Sequence, residues 1–180
     1  MQNKRDGYIY LALFALSIPA ANWMIGNFGT FCVPDGPCLI PVAPGITAPS
    51  GVLMVGAALV LRDLVQRSLG FKWALAAVLV GAALSGLVAT QALVVASATA
   101  FLLSELADLL VYTPLQKKGL TRAVVASSVV GLIVDSIVFL YLAFGSLDYI
   151  SGQIIGKMWM VLLAIPLIHF LRSRETKPVA

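Results

Sequence analysis

Charge is what this sequence has least of. Asp, Glu, Lys and Arg make up only 11% of its 180 residues, against 60% hydrophobic residues. Together with a mean hydropathy of +0.97, that balance excludes an ordinary soluble domain and points to a polytopic membrane protein. Histidine is nearly absent: His169 stands alone, so no His-based triad and no histidine metal cluster exists. Cysteine is confined to Cys32 and Cys38, whose spacing carries no zinc signature. The net charge of +4 is small and dispersed, which excludes a nucleic-acid footprint. No nucleotide-binding motif is found, and neither metal nor cofactor is implied. Intramembrane aspartates raise the possibility of an aspartyl protease. Asp108 and Asp135, however, lack the Tyr-Asp and Gly-x-Gly-Asp contexts of such enzymes, so no catalytic residue is assigned and no enzyme is expected.

Six apolar segments follow one another at about 8–26, 49–69, 73–91, 92–112, 122–145 and 152–171, each near the roughly 20 residues that span a bilayer. The few basic residues are placed with a rule. Lys4 and Arg5 precede the first segment, Arg67 and Lys72 bracket the second connection, and Lys117, Lys118 and Arg122 fill the fourth. Arg172, Arg174 and Lys177 follow the last segment, while the first, third and fifth connections hold no Lys or Arg. This is the positive-inside pattern for one all-α domain of six transmembrane helices over residues 1–180, with both termini in the cytoplasm. Between the third and fourth segments only Thr90 and Gln91 suggest a turn. A single helix there would run about 40 residues and overshoot a roughly 30 Å core. The first segment also imitates a signal peptide, with Lys4 and Arg5 ahead of an apolar run ending near Pro19-Ala20-Ala21. The six-helix reading retains it.

The longest connection, 27–48, is expected outside, and its Pro34, Pro37, Pro41 and Pro44 rule out a regular helix. Cys32 and Cys38 flank Val-Pro-Asp-Gly-Pro, a turn able to bring their sulfurs together, so the residues leave open a disulfide or two free thiols. Phe28, Phe31, Val33, Leu39, Ile40 and Val42 make the loop apolar, as for a lid folded over the helix ends or a segment dipping into the membrane interface.

The scarce acids fall where hydrocarbon is expected. Glu105 and Asp108 lie in the fourth segment and Asp135 in the fifth. An acid at mid-membrane costs roughly 2.5–3.5 kcal/mol on insertion scales, so it faces the bundle interior and marks a functional site by default. At 1.5 Å per residue, Asp63, Glu105 and Asp135 lie about 21, 20 and 15 Å below the outer helix ends. Phe101, Glu105, Asp108 and Tyr112 share one helix face, and Ser128, Asp135, Ser136 and Phe139 another. Aromatic rings beside acids and hydroxyls suit a flat, hydrogen-bonding ligand better than a bare ion. Arg62 and Arg67 are possible charge partners for Asp63, and Lys157, about two turns above Asp135, is within its reach. Proton exchange at Glu105 or Asp135 offers a route for coupling to ligand binding. Small residues at four-residue steps (Ala77, Gly81 and Ser85; Ser127 and Gly131) let helices approach closely. Arg62-Asp63-Leu64-Val65 is faintly echoed by Ala107-Asp108-Leu109-Leu110.

These residues resemble a known family. Asn22, the run Asp63-Leu64-Val65-Gln66-Arg67-Ser68-Leu69-Gly70, and Glu105-Leu106-Ala107-Asp108 with its basic turn are similar to the queuosine-precursor transporters, also known as the vitamin uptake transporter family. The likeness continues through Ala126-Ser127-Ser128, Asp135-Ser136-Ile137-Val138-Phe139 and Ala143-Phe144 to Lys157. The resemblance implies a multi-pass importer in the bacterial inner membrane for 7-deazaguanines such as preQ0 and preQ1. By matching positions, Asn22, Asp63, Arg67, Asp108, Asp135 and Lys157 correspond to family residues, and the implied substrate site is Asn22, Asp63, Asp108, Asp135 and Lys157 together with Ser136. Glu105 belongs to the site but departs from the pattern, since similar proteins more often carry Gln there; Ser136 stands where they often carry Thr. The implied partners are a purine-like small molecule and the lipid bilayer, with a homo-oligomer or an energising module as further options. A substrate-binding subunit driven by a separate ATPase, and a membrane scaffold, are the competing readings.

Overall fold

A computed structural model describes residues 4–34, 36–89 and 91–175. Asp35 of the loop, Thr90 of the expected turn and Lys177 of the basic tail lie outside the described residues. The long Leu-, Ala-, Val- and Ile-rich runs form helices α1 (Lys4–Asn27), α2 (Val52–Leu69), α3 (Phe71–Val88), α4 (Val94–Leu115), α5 (Leu120–Phe144) and α6 (Ile150–Glu175). A 3-10 turn, Gln91–Leu93, leads into α4. Gly70 alone joins α2 to α3, at φ 93°, a backbone conformation that a side chain disfavours. By length and composition α1, α3, α4 and α5 are able to cross a membrane. α2 carries Arg62, Asp63 and Arg67, and in α6 the described apolar stretch is shorter, Ile150–Pro166.

The polarity of the bundle is inverted relative to a soluble protein. Leu16, Leu87, Leu110 and Leu163 point outward, each more than half exposed, while Arg62, Asp63 and Asp108 are wholly buried. An apolar girdle around a polar interior is what a bilayer accommodates, and the architecture is consistent with a multi-pass membrane protein. α4 lies along α5, α1 along α2, and α2 against α6. Leu59, Leu64, Leu132, Val161 and Ile168 pack with Tyr112 at the centre. Two glycines on α2 and α5 mark close approaches between helices. A Cβ at Gly56 would stand 2.7 Å from the carbonyl oxygen of Lys157, and one at Gly131 would stand 2.8 Å from Leu59. Without side chains at these points, α2 meets the backbone of α6 and the face of α5 directly.

The connection after α1 departs from the all-α expectation. It forms a three-stranded antiparallel sheet, β1 (Phe31–Cys32), β2 (Cys38–Ala43) and β3 (Ile46–Pro49), in spatial order β1-β2-β3. Its prolines exclude helix without excluding strand. Pro44 and Gly45 (φ 72°) make the two-residue hairpin turn between β2 and β3. Pro41, in the central strand, sits at a register shift between Pro41 and Ala43, where a missing N–H is tolerated. Cys32 pairs across the ladder with Cys38 and is disulfide-bonded to it. Val42 and Ala48 bury with Val52, against Leu53 of α2 and Ile155 of α6. The sheet is tied to the bundle at two points. The Ser50 hydroxyl donates to Met24 O of α1 at 2.6 Å, and Trp159 Nε1 of α6 donates to Val42 O at 2.9 Å.

Candidate substrate site

A cavity opens at the sheet end of the bundle, with about 660 Å³ of unoccupied space, part of it continuous with solvent. Its wall is largely apolar, from Ile18 and Ala21 of α1, Val52 and Val55 of α2, and the rings of Phe101 and Phe139. Polar groups also line it: Asn22, Ser85, Ser97, Ser104 and Gln153, and at the floor Glu105 and Asp135.

Each floor carboxylate is held from behind by a buried cation. Lys157 Nζ donates to Asp135 Oδ2 at 2.5 Å and to Ser136 Oγ at 2.9 Å. The Ser136 hydroxyl itself donates to Leu132 O at 2.6 Å. Helix geometry explains the reach: Lys157 sits where α6 meets α2 at Gly56, and its long side chain extends inside the bundle to α5. On the other side, Arg62 Nε donates to Glu105 Oε2 at 3.1 Å. Arg62 Nη1 lies 2.7 Å from Asp63 Oδ1, and Nη2 pairs with Asp108 Oδ1. One guanidinium thus gathers three carboxylates from α2 and α4, a use suited to the planar fork of arginine. The Tyr112 ring faces this guanidinium at 5.7 Å, a cation–π arrangement. Ser127 of α5 donates to Asp63 Oδ2 at 2.9 Å. Arg62 Nη1 also donates to Gln66 Oε1 at 3.3 Å, and Gln66 Nε2 donates to Thr113 Oγ1 at 3.0 Å.

The residues singled out from the sequence therefore separate into two layers. Asn22, Glu105 and Asp135 line the cavity, and Asn22 donates through Nδ2 to Ile18 O of its own helix at 3.0 Å, leaving its carbonyl oxygen uncommitted. Asp63, Asp108, Ser136 and Lys157 do not line it; they form the supporting layer beneath. Arg62 is the hub of that layer, whereas Arg67 is partly buried in the last turn of α2. The faint echo between α2 and α4 has a spatial counterpart, because Asp63 and Asp108 meet on the same arginine. Several residues escaped the sequence reading, among them Ser97 and Ser104 of the cavity wall. Gln153 enters the cavity from the first turns of α6, and Gln66 extends the arginine network. A neutral amide in a segment boundary carries no charge signal, although Gln153 stands one helical turn before Lys157 on the same face.

An all-helical bundle with a buried ionic floor beneath an open cavity is consistent with a multi-pass membrane protein. Residues 87–171 match the family described as "Putative vitamin uptake transporter". Over that stretch the chain is similar to this uptake transporter family, and the resemblance read from the sequence is borne out. The matched stretch covers just under half of the chain and contains Glu105, Asp108, Asp135, Ser136, Gln153 and Lys157, while Asn22, Arg62 and Asp63 lie before it. No curated protein and no solved structure matches the chain.

Proposed function

We propose that the chain imports a queuosine precursor, a 7-deazaguanine such as preQ0 or preQ1, across the bacterial inner membrane. The observation that carries this reading is the cavity floor. Glu105 and Asp135 each give one oxygen to an internal cation, Oε2 to Arg62 and Oδ2 to Lys157, and each has a second oxygen for a ligand. A deazaguanine presents a planar ring and a guanine-like donor edge, which carboxylates accept well. Phe101 and Phe139 supply rings to the cavity wall, each four residues along its helix from a floor acid. In this reading all six helices span and both termini are cytoplasmic, in keeping with the distribution of basic residues. The sheet and its Cys32–Cys38 bond then face an oxidising compartment.

Uptake of labelled preQ1 by liposomes that contain only this protein tests the proposal. Accumulation above protein-free liposomes is the expected result. Binding without accumulation, reversed when ATPase modules are added, would instead make the chain the substrate-binding subunit of a larger transporter. Absence of any binding would overturn both and leave a scaffold role.

A further inference from the structure

Glu105 and Asp135 share one cavity floor, but their charges are balanced differently. Asp135 has a cation of its own, since Lys157 lies 2.5 Å from Oδ2 and is buried with it. That pair is neutral as a unit. Glu105 has only a share of Arg62, which also serves Asp63 and Asp108. Both aspartates are wholly buried and neither lines the cavity, so this cluster meets the cavity only through Glu105. Gln153 adds an independent element. It is 3% exposed and lines the cavity, and its side-chain amide makes no hydrogen bond within the described residues. A buried amide without a partner in an open cavity is completed by a ligand that both donates and accepts.

We infer that the cavity selects an ammonium-bearing flat heterocycle over its neutral counterpart, an inference that rests on the precursor-import reading. The ammonium lies against Glu105, where one guanidinium faces three carboxylates, and is kept from Asp135 by the charge of Lys157. The N–H edge of the ring lies against the second oxygen of Asp135 and the Gln153 amide. Within the proposed ligand class this favours preQ1, with its aminomethyl group, over preQ0, with its nitrile.

Titration calorimetry of the purified full chain in detergent, with preQ1 and preQ0 as separate titrants, tests it. The expected result is that preQ1 binds at least about tenfold more tightly, and that Glu105→Gln brings the ratio of the two affinities to within about twofold of one. The ratio is the readout, so a general loss of affinity in the variant does not imitate the effect. The wild-type ratio stands without any variant. Equal wild-type affinities would overturn the charge selection while leaving the import reading intact. A large ratio that survives Glu105→Gln would overturn the assignment of the ammonium to Glu105. Failure of both compounds to bind would overturn the import reading and this inference with it.

Discussion

Removing the cation from the arginine cluster is the most informative single perturbation of the bundle. In Arg62→Met, Asp63, Glu105 and Asp108 lose their shared partner while remaining buried, and Tyr112 loses the guanidinium on its face. Deleting one member of a buried ion pair costs about 3–5 kcal/mol, because the abandoned charge remains desolvated. Three abandoned carboxylates do not triple the figure, since buried acids take up protons rather than stay charged. For a chain of this size 1 kcal/mol moves Tm by about 2–4 °C, so the expected loss is about 6–20 °C. Thermal unfolding of the detergent-purified variant, followed by the fluorescence of Trp23, Trp73 and Trp159, measures it. The same logic predicts partial recovery when Asp63→Asn and Asp108→Asn are added, because the extra buried charge is then removed with its partner. Arg62→Lys should fall between, keeping the charge but losing the fork that reaches three acceptors. A Tm for Arg62→Met within about 2 °C of wild type would refute the account of Arg62 as the hub of the floor.

Other perturbations have equally definite outcomes. Asp135→Asn should abolish uptake in liposomes and lower Tm, leaving Lys157 with only Ser136 as partner. Adding Lys157→Met should restore Tm without restoring uptake, and normal uptake by Asp135→Asn would make that residue purely structural. Gly56→Val should lower Tm by the equivalent of about 1–3 kcal/mol or more. Its side chain would strike the backbone of Lys157 rather than a movable side chain. An unchanged Tm would show that α2 and α6 pack with slack. Reduction of the Cys32–Cys38 bond, which closes a sequence separation of 6, should cost about 2 kcal/mol. Equal Tm values with and without reductant would mean that the sheet opens independently of the bundle.

How much of this was legible in the sequence depends on the kind of signal. Helices were legible because apolar runs of spanning length have few alternatives, and the break after α3 because one helix through it would be too long. Lys157 stood out as a charge in an apolar helix, and simple depth counting put it within reach of Asp135, which it contacts. The choice of partner for Arg62 was not legible. Asp63 is its neighbour in sequence, but Glu105 and Asp108 reach it only through the rotation of α2 against α4, which one sequence does not specify. For the same reason the acids could not be divided between cavity wall and supporting layer. The sheet was hidden by its prolines, although Pro44-Gly45 between two short β-prone runs is a hairpin signal. Gln153 was hidden because an uncharged amide does not stand out until its burial is known.

The two ties between sheet and bundle have a mechanical consequence. Through Ser50 the sheet is fastened to α1, and through Trp159 to α6. A brace across two beams fixes their separation where it is bolted, and leaves them free to pivot about that line. With α1 and α6 braced at the sheet end, a small rotation there produces its largest displacement at the far end of the bundle. In the proposed importer, movement that lets a ligand pass would thereby be directed away from the braced rim and toward the side beneath the ionic floor. Cutting the brace at Trp159 would redistribute that motion without touching a single residue of the cavity.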